Sequence, residues 1–136
     1  MKPQPLKTPQ SAQPKKQKKI LVIDDDREMT FLMKEILSKE NYEVCAAHTD
    51  VEAMGHSKEI GFDLILLDIY MPFLSGFQLC DLFKHQRQHK NIPVIMVTGL
   101  SGTDTMEKAY QAGADSYLKK PFRAEELLAM VRKILS

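Results

Sequence analysis

Several chemically active side chains follow short apolar runs in this sequence. Three consecutive aspartates, at 24–26, come directly after ILVI, and Asp68 comes directly after DLILL. Thr98 follows PVIMV, and Lys120 follows SYLK. Carboxylates, a hydroxyl and an ammonium group at one place supply what phosphoryl transfer requires: a nucleophile, metal ligands, a hydroxyl donor and a counter-charge.

The carboxylates of Asp24, Asp25 and Asp68 converge if the strands that they follow are neighbours. Like charges at short range repel and raise one another's pKa, which costs stability unless a cation is present. Mg²⁺ suits a site with few carboxylates, some water and phosphate oxygens that complete its octahedron. The sequence therefore predicts a Mg²⁺ site.

Each of these residues also has a simpler interpretation. Asp68 suits an Asx turn before Pro72, Thr98 suits a loop hydroxyl, and Lys120 suits a solvated surface charge. Taken singly, the simpler interpretation is the better one for most of them. Taken jointly at one edge of a sheet, they favour the phosphoryl-transfer site.

The elements that must position these residues alternate regularly along the chain. From residue 19 onward, five helical periodicities follow the apolar runs ILVI (20–23), YEVCAA (42–47), DLILL (63–67), PVIMV (93–97) and SYLK (116–119). Strands that are apolar on both sides, alternating with helices, predict a parallel sheet between two helical layers. Five strands suit the flavodoxin-like (βα)5 three-layer sandwich, an α/β fold of strand order 2-1-3-4-5 that binds ligands at the carboxyl ends of its strands.

Two helices carry recognisable start signals. Asp26, the aspartate furthest from the first strand, is predicted to cap the first helix. Thr49 and Glu52 have the spacing of a capping box at the start of the second helix. Apolar residues at helical spacing predict the buried faces, which in the first helix are Met29, Leu32, Met33, Ile36 and Leu37 and in the fourth are Met106, Ala109 and Tyr110.

The composition fits one domain with a basic leader. The chain has 136 residues, 43% of them hydrophobic, and a net charge of +1. Residues 1–18 are rich in lysine and proline and nearly devoid of apolar residues, which predicts a disordered basic tail before a folded domain at 19–136. Residues 20–136 hold 13 basic and 18 acidic residues, so the chain after Lys19 carries a net charge of −5 and the folded part is acidic.

The sequence shows no sign of a membrane or secretory protein. No apolar run approaches the length of a membrane span, and the lysine-rich start lacks the apolar centre of a secretory signal. Cys45 and Cys80 lie in apolar segments and match no metal-ligand spacing, so they are predicted to be buried thiols. A cytoplasmic location is the resulting prediction.

The segments ILVIDDD, LLDIYMPFLSG, VIMVTG and GADSYLKKPF closely resemble the receiver domain of two-component response regulators, over residues 19–135. The resemblance implies that a histidine kinase or phosphotransfer protein phosphorylates Asp68 in a Mg²⁺-dependent reaction. It also implies that Asp24 and Asp25 are the acidic pair of the family, with Asp25 the more direct metal ligand, and that the backbone carbonyl of Tyr70 is a further ligand.

The same resemblance implies roles for the remaining residues. Thr98 is expected to hydrogen-bond the phosphoryl group, and Lys120 is expected to neutralise its charge, with the Lys120–Pro121 peptide bond cis. Tyr117 matches the aromatic switch position on the last strand. Tyr70 and Leu100 occupy positions that control the access of water, and their bulk is expected to slow hydrolysis.

The function implied by the resemblance is a phosphorylation-activated signalling switch. Such a domain catalyses its own phosphorylation and dephosphorylation but acts primarily through protein contacts, here with an unknown output protein or output domain. Direct binding of nucleic acid by the receiver domain, or of a membrane, is not expected. The main alternative is a degenerate receiver that acts as an interaction module without phosphorylation.

Two other classes share parts of the pattern. A haloacid-dehalogenase-type phosphatase also uses a strand-end aspartate with Mg²⁺, and Asp24 and Asp26 have its spacing. Glu28 stands where that family has a threonine, however, which argues against it. A flavodoxin-like cofactor binder would carry a phosphate loop rich in serine, threonine and glycine rather than aspartates, which repel phosphate.

Overall fold

A computed structural model describes residues 17–56, 61–71, 75–86, 89–100 and 102–136. Most of the predicted basic tail, residues 1–16, and Pro72 of the predicted turn after Asp68 lie outside the described residues. Among the described residues, no helix combines the length and the apolar character that crossing a bilayer requires.

Within this described part, five strands alternate with five helices. In chain order the elements are β1 (Lys19–Ile23), α1 (Arg27–Ser38), β2 (Glu43–Ala47), α2 (Asp50–His56), β3 (Leu64–Leu67), α3 (Gly76–His85), β4 (Val94–Thr98), α4 (Thr103–Gln111), β5 (Ser116–Lys119) and α5 (Ala124–Leu135). All strand pairs are parallel, and the strand order is β2-β1-β3-β4-β5. The predicted flavodoxin-like (βα)5 sandwich of order 2-1-3-4-5 is confirmed.

Helices cover both faces of the sheet, as the continuous apolar strands require. One face packs against α1 and α5 through Met33, Leu37, Leu127 and Val131. The other face packs against α2, α3 and α4 through Ala53, Leu79, Phe83 and Ala109. The residues of β3 and β4 are all buried, because each side chain enters one of these two cores. Full burial of one aliphatic side chain contributes roughly 1.5–3 kcal/mol, so the central strands are the best anchored part of the sheet.

A network centred on Lys84 joins the amino-terminal ends of β4 and β5. Its ammonium donates to the Ile92 carbonyl at 2.7 Å and lies 3.2 Å from Oδ2 of Asp115. The same carboxylate oxygen accepts from the Val94 amide at 2.8 Å. A Cβ at Gly113 would lie 2.8 Å from Cγ of Lys84, and Gly113 has a φ of 107°, so glycine suits this position on both counts. Lys84 therefore stabilises the amino-terminal ends of these two strands, which lie at the opposite end from the predicted site.

The helix starts agree with the sequence in one case and differ in the other. The Asp26 carboxylate caps α1 by accepting from the amides of Glu28 and Met29, as predicted. At α2, the Thr49 hydroxyl accepts from the Glu52 amide, which is half of the predicted capping box. The Glu52 carboxylate accepts instead from the His48 amide, at 2.7 Å, so the return bond begins one residue earlier.

Three residues of the predicted buried faces are exposed. Leu32 of α1 and Met106 and Tyr110 of α4 each keep more than a third of their surface in solvent. Leu32 lies at the margin of an apolar stripe whose centre is formed by Met33 and Leu37, and the shallow packing of α4 buries only Ala109. The helical spacing thus identified the correct side of each helix, but the predicted buried faces included residues at their margins that are exposed.

Candidate functional site

The sheet's hydrogen bonds extend one residue beyond β1 and β3, and this extension positions two carboxylates. The Asp24 amide donates to the Ala47 carbonyl at 3.0 Å, and the Asp68 amide donates to the Ile23 carbonyl at 2.9 Å. Since β1 and β3 are adjacent, Asp24 and Asp68 stand side by side at the carboxyl edge. Both residues are buried, at 1% and 7% exposure.

Three carboxylates meet at this edge. One oxygen each from Asp24, Asp25 and Asp68 lies within 4.8 Å of the others. Asp25 is exposed, whereas the other two are buried, so the cluster has a solvent side. Three hard carboxylate oxygens at this spacing are the donor set that Mg²⁺ prefers. The residues present therefore fit the ion that the sequence predicts.

Lys120 is the positive charge of the site. Its ammonium lies 2.6 Å from Oδ2 of Asp24 and 3.6 Å from Oδ2 of Asp68. The Lys120 amide also donates to the Thr98 carbonyl, which fastens the loop after β5 to the end of β4. The Lys120–Pro121 peptide bond is cis, as expected, and Lys119 is exposed.

Burial dominates the protonation of Asp24. It raises the pKa of this carboxyl to about 6, and the neighbouring Asp68 carboxylate acts in the same direction. The hydrogen bonds from Lys120 and from the Asp26 amide act in the opposite direction but do not cancel the effect of burial. Burial thus penalises the charged form of Asp24, and a cation bound beside this carboxylate would offset that cost.

A close approach between backbones positions the start of α3 against the Asp68 segment. The Gly76 amide donates to the Ile69 carbonyl at 2.7 Å, and a Cβ at Gly76 would lie 2.3 Å from the Asp68 carbonyl oxygen. Only glycine allows this contact without a shift of the backbone. Ser75 and Gln78 form a capping box at the same point. The sequence predicted a turn role for Gly76. In the structure, glycine is required here because a side chain would collide with the Asp68 backbone.

Thr98 is the last residue of β4 rather than the first residue after it. It is buried, and its hydroxyl oxygen accepts from the Leu100 amide at 3.3 Å. The Tyr117 hydroxyl donates to the Leu100 carbonyl. The sequence singled out Thr98 and Tyr117, but it gave no sign that both contact the backbone of Leu100, because loop geometry leaves no periodic pattern.

The predicted residues line one cavity of about 330 Å³ that opens to solvent. Its lining comprises Asp24, Asp25, Asp26, Asp68, Tyr70, Thr98, Gly99, Leu100 and Lys120. Tyr70 is 77% exposed at the rim, and its amide lies 3.4 Å from Oδ1 of Asp68. Of the predicted site residues, only Tyr117 lies outside the lining, and it reaches the cavity through Leu100.

Comparison with known proteins gives consistent matches. A family model described as the response regulator receiver domain matches residues 20–132. The transcriptional regulatory protein CpxR of Klebsiella pneumoniae is 42% identical over 117 residues, which cover 86% of this chain and 49% of that protein. The chain thus spans about half the length of the curated relatives it matches.

Two solved structures show the same architecture. A CheY-like receiver domain protein from Methanospirillum hungatei JF-1 has a TM-score of 0.81 at 34% identity, covering 88% of this chain and 94% of that one. The chemotaxis response regulator CheY4 of Vibrio cholerae has a TM-score of 0.83 at 29% identity, covering 88% and 99%.

Proposed function

This chain belongs to the response regulator receiver domain family of two-component systems, and we propose on that premise that it is a switch controlled by phosphorylation of Asp68. The receiver unit in this proposal comprises residues 19–136. The observation that carries the proposal is the placement of the Asp68 carboxylate beside two further carboxylates and the Lys120 ammonium in one cavity.

Phosphoryl transfer needs a nucleophile that is held in place and is reachable from solvent. The Asp68 amide is fixed to β1, and the Gly76 contact fixes the backbone that follows. An Asp68 carboxylate oxygen forms a bond to the phosphorus of a phosphohistidine, the P–N bond breaks, and its electron pair returns to the imidazole. Positioning of this kind supplies much of the rate in phosphoryl transfer.

Hydrolysis restores the original carboxylate. A water oxygen attacks the phosphorus of the acyl phosphate, the bond to the Asp68 oxygen breaks, and inorganic phosphate leaves while the water proton passes to solvent. Tyr70 and Leu100 line the route into the cavity and are both exposed. Their bulk restricts the approach of water and so prolongs the phosphorylated state.

The metal ligands of the proposal are the carboxylates of Asp24, Asp25 and Asp68 together with the Tyr70 carbonyl. When bound, Mg²⁺ would neutralise the charge that builds up on the phosphoryl oxygens during transfer. Asp25 is the solvent-exposed member of the cluster and the more direct ligand. Asp24 is tied to Lys120, so its carboxylate serves both the lysine and the ion.

Lys120 and Thr98 recognise the transferred group in this proposal. The Lys120 ammonium, already near Asp68, pairs with a phosphoryl oxygen. The Thr98 hydroxyl donates to another, which draws the Leu100 loop toward Asp68 because that hydroxyl also accepts from the Leu100 amide. The Tyr117 hydroxyl donates a hydrogen bond to the Leu100 carbonyl. A shift of the Leu100 backbone would therefore reach the face formed by α4, β5 and α5.

Membership of the family supports our proposal for the partners and the location. A histidine kinase or a phosphotransfer protein supplies the phosphoryl group in the cytoplasm, and an output protein or output domain receives the signal. The relatives named as transcriptional regulators support an output of gene control in those proteins. The receiver unit itself acts through protein contacts.

The test is the covalent labelling of Asp68. The full chain is treated with acetyl phosphate and Mg²⁺, and its intact mass is measured. We expect the mass to rise by one phosphoryl group in the wild type and to stay unchanged in Asp68→Asn. The matched control is Asp104→Asn, which changes an exposed aspartate of α4 and should be labelled normally.

An unlabelled wild-type chain would favour the alternative of a degenerate receiver that binds partners without phosphorylation. Labelling of Asp68→Asn at the wild-type rate would move the acceptor to another residue. Omission of Mg²⁺ gives a third arm, in which labelling should be strongly reduced.

A further inference from the structure

One side of α1 faces β2 with a stripe that the phosphorylation site does not use. Arg27, Thr30, Phe31 and Lys34 occupy positions i, i+3, i+4 and i+7 of the helix, which place them on one face. With Ala46 and His48, these residues line an open cavity of about 250 Å³. The stripe begins directly after Asp26, so it lies beside the phosphorylation site.

The charges of this face are positive, and the Glu52 carboxylate is the acidic group that acts on Arg27 across it. Arg27 and Lys34 lie on the stripe, whereas the acidic residues of the helix, Glu28 and Glu35, lie off it. Within the part of the chain that the structure describes, neither Arg27 nor Lys34 has a carboxylate within ion-pair distance. The patch is therefore basic, although residues 20–136 together carry a net charge of −5.

The floor of the cavity is ordered by a chain of polar contacts. The hydroxyl of Thr30, a buried residue, lies 2.9 Å from Nε2 of His48. The His48 amide donates to the Glu52 carboxylate at 2.7 Å, and the Glu52 amide donates to the Thr49 hydroxyl. These contacts fix the His48 ring and keep the Glu52 carboxylate occupied at the start of α2. The Glu52 carboxylate is thus held mainly by the His48 amide, and Arg27 makes a smaller electrostatic contribution to lowering its pKa.

The apolar centre of the patch is Phe31, which is 66% exposed. A large aromatic side chain left in water between two cations resembles the centre of a protein interface, where aromatic residues and arginine are enriched. The cavity is open rather than enclosed, and an outward-pointing ring gives a small ligand little cover. The patch therefore suits a protein segment better than a metabolite.

We propose that this α1 surface docks an acidic amphipathic helix of a partner protein. An apolar side chain of that helix packs on Phe31, and two carboxylates bind Arg27 and Lys34. The two cations are seven residues apart along α1, about 10.5 Å at 1.5 Å per residue, so the matching carboxylates are two helical turns apart. Charge complementarity sets the register, and the acidic remainder of the domain repels the partner elsewhere.

This surface is separate from the proposed output face. Tyr117 lies on β5, and β2 is at the opposite edge of the sheet. A partner seated on α1 and β2 leaves the face of α4, β5 and α5 free. Docking and signalling can therefore involve two proteins at once.

The probe is a labelled synthetic helix with glutamates seven positions apart and leucine between them, and binding to the full chain is followed by fluorescence anisotropy. We expect saturable one-to-one binding that weakens as salt rises. Phe31→Ser should weaken it about tenfold, as should the double variant Arg27→Glu with Lys34→Glu. A matched double variant, Lys90→Glu with Lys108→Glu, reverses two exposed lysines elsewhere and should leave binding unchanged.

A charge swap makes the test specific. A second peptide with lysine in place of both glutamates should bind the Arg27→Glu, Lys34→Glu variant and not the wild type. Amide NMR shifts should change at residues 27–34 and 46–48 and leave Tyr117 unperturbed. Absence of saturable binding, equal binding by all variants, or shifts centred on the face of Tyr117 would each overturn the proposal.

Discussion

The Lys120 ammonium lies 2.6 Å from the Asp24 carboxylate, and this pair joins two residues that are 96 positions apart in the sequence. Asp24 follows β1 and Lys120 follows β5, so the contact bridges the carboxyl ends of two strands that are separated by β3 and β4. Together with the 3.6 Å approach of Lys120 to Asp68, it makes one lysine the counter-charge of two buried carboxylates.

Removal of that ammonium should destabilise the metal-free protein. Lys120→Met leaves Asp24 and Asp68 facing each other without a cation, and we expect a loss of about 1–3 kcal/mol in the free energy of unfolding. The gain in Tm on addition of Mg²⁺ should become larger, because the ion then relieves the whole repulsion. The control is Lys119→Met, an exposed neighbour, which should have little effect in denaturant unfolding.

Mg²⁺ should raise the Tm of the wild type, since it binds the native cluster and not the unfolded chain. Asp25→Asn should lose most of that gain while its Tm without metal changes little, because Asp25 is exposed. Asp26→Asn is the matched control, since asparagine caps a helix as well as aspartate does. An equal response to Mg²⁺ in Asp25→Asn would place the ion elsewhere.

The affinity for Mg²⁺ should depend on pH through Asp24. Its pKa is raised from 3.8 to about 6 in the folded state. Between pH 3.8 and 6, Asp24 is therefore protonated in the folded protein and ionised in the unfolded chain. Without metal, the contribution of Asp24 to stability is therefore greatest below pH 3.8 and declines as the pH rises toward 6. The ion must displace this proton, so its affinity should fall as the pH drops below 6 and level off above pH 7. Calorimetric titration across pH 5–8 measures this, and a flat profile would contradict it.

His89 should act on stability in the opposite direction. It is a buried residue stacked on Phe83, and neither ring nitrogen has a hydrogen-bond partner among the residues that the structure describes. Burial lowers its pKa from 6.5, so the folded state keeps the ring neutral while the unfolded chain takes up a proton below pH 6.5. The contribution of His89 to the free energy of unfolding is fully present above pH 6.5. It declines as the pH falls, by up to about 1.4 kcal/mol per pH unit.

The variant His89→Leu isolates this effect. Urea unfolding between pH 5 and 8 should show a smaller loss of stability toward acid than in the wild type. His85→Leu, which removes an exposed histidine of α3, should retain the wild-type slope. An unchanged slope in His89→Leu would assign the acid sensitivity to other groups.

The hydrogen bond from the Tyr117 hydroxyl to the Leu100 carbonyl should transmit the effect of phosphorylation to the distant face. Beryllofluoride with Mg²⁺ mimics a phosphoryl group on Asp68, and amide NMR shifts should change around Asp68 and also along residues 106–117 and into α5. Tyr117→Phe removes the hydroxyl that contacts Leu100 and should reduce the distant changes while those in the pocket remain. If the wild-type changes stop at the pocket loops, this face is not the output surface.

The sheet and the carboxyl-edge residues were predictable because each depends on a local signal. A run of apolar residues followed by a charge marks a strand end, and parallel strands bring their ends to the same edge. The partners of loop residues were not predictable in this way. Tyr117 finds a carbonyl at Leu100, and Glu52 prefers the His48 amide to that of Thr49, because backbone direction in a loop depends on its full geometry.

The α1 surface shows a second limit of the sequence pattern. Helical periodicity separates the buried face from the rest but does not distinguish an exposed face that is idle from one that binds. Phe31 and Leu32 are both exposed, although only Leu32 belongs to the predicted apolar stripe. The cavity beside Phe31 depends on Ala46 and His48 of the next strand and loop, which lie on no helical repeat of α1.

The Lys84 network lies at the amino-terminal ends of β4 and β5, away from the phosphorylation site. A variant of this network can therefore change the amount of folded protein without changing the reaction at Asp68. Lys84 and Asp115 contact β4 and the start of β5 at the end that carries no chemistry. A change there lowers the population of folded chains in a cell, which proteases then remove, while each surviving molecule keeps an intact Asp68. A genetic screen would score such a variant as a signalling defect, although the reaction itself is untouched.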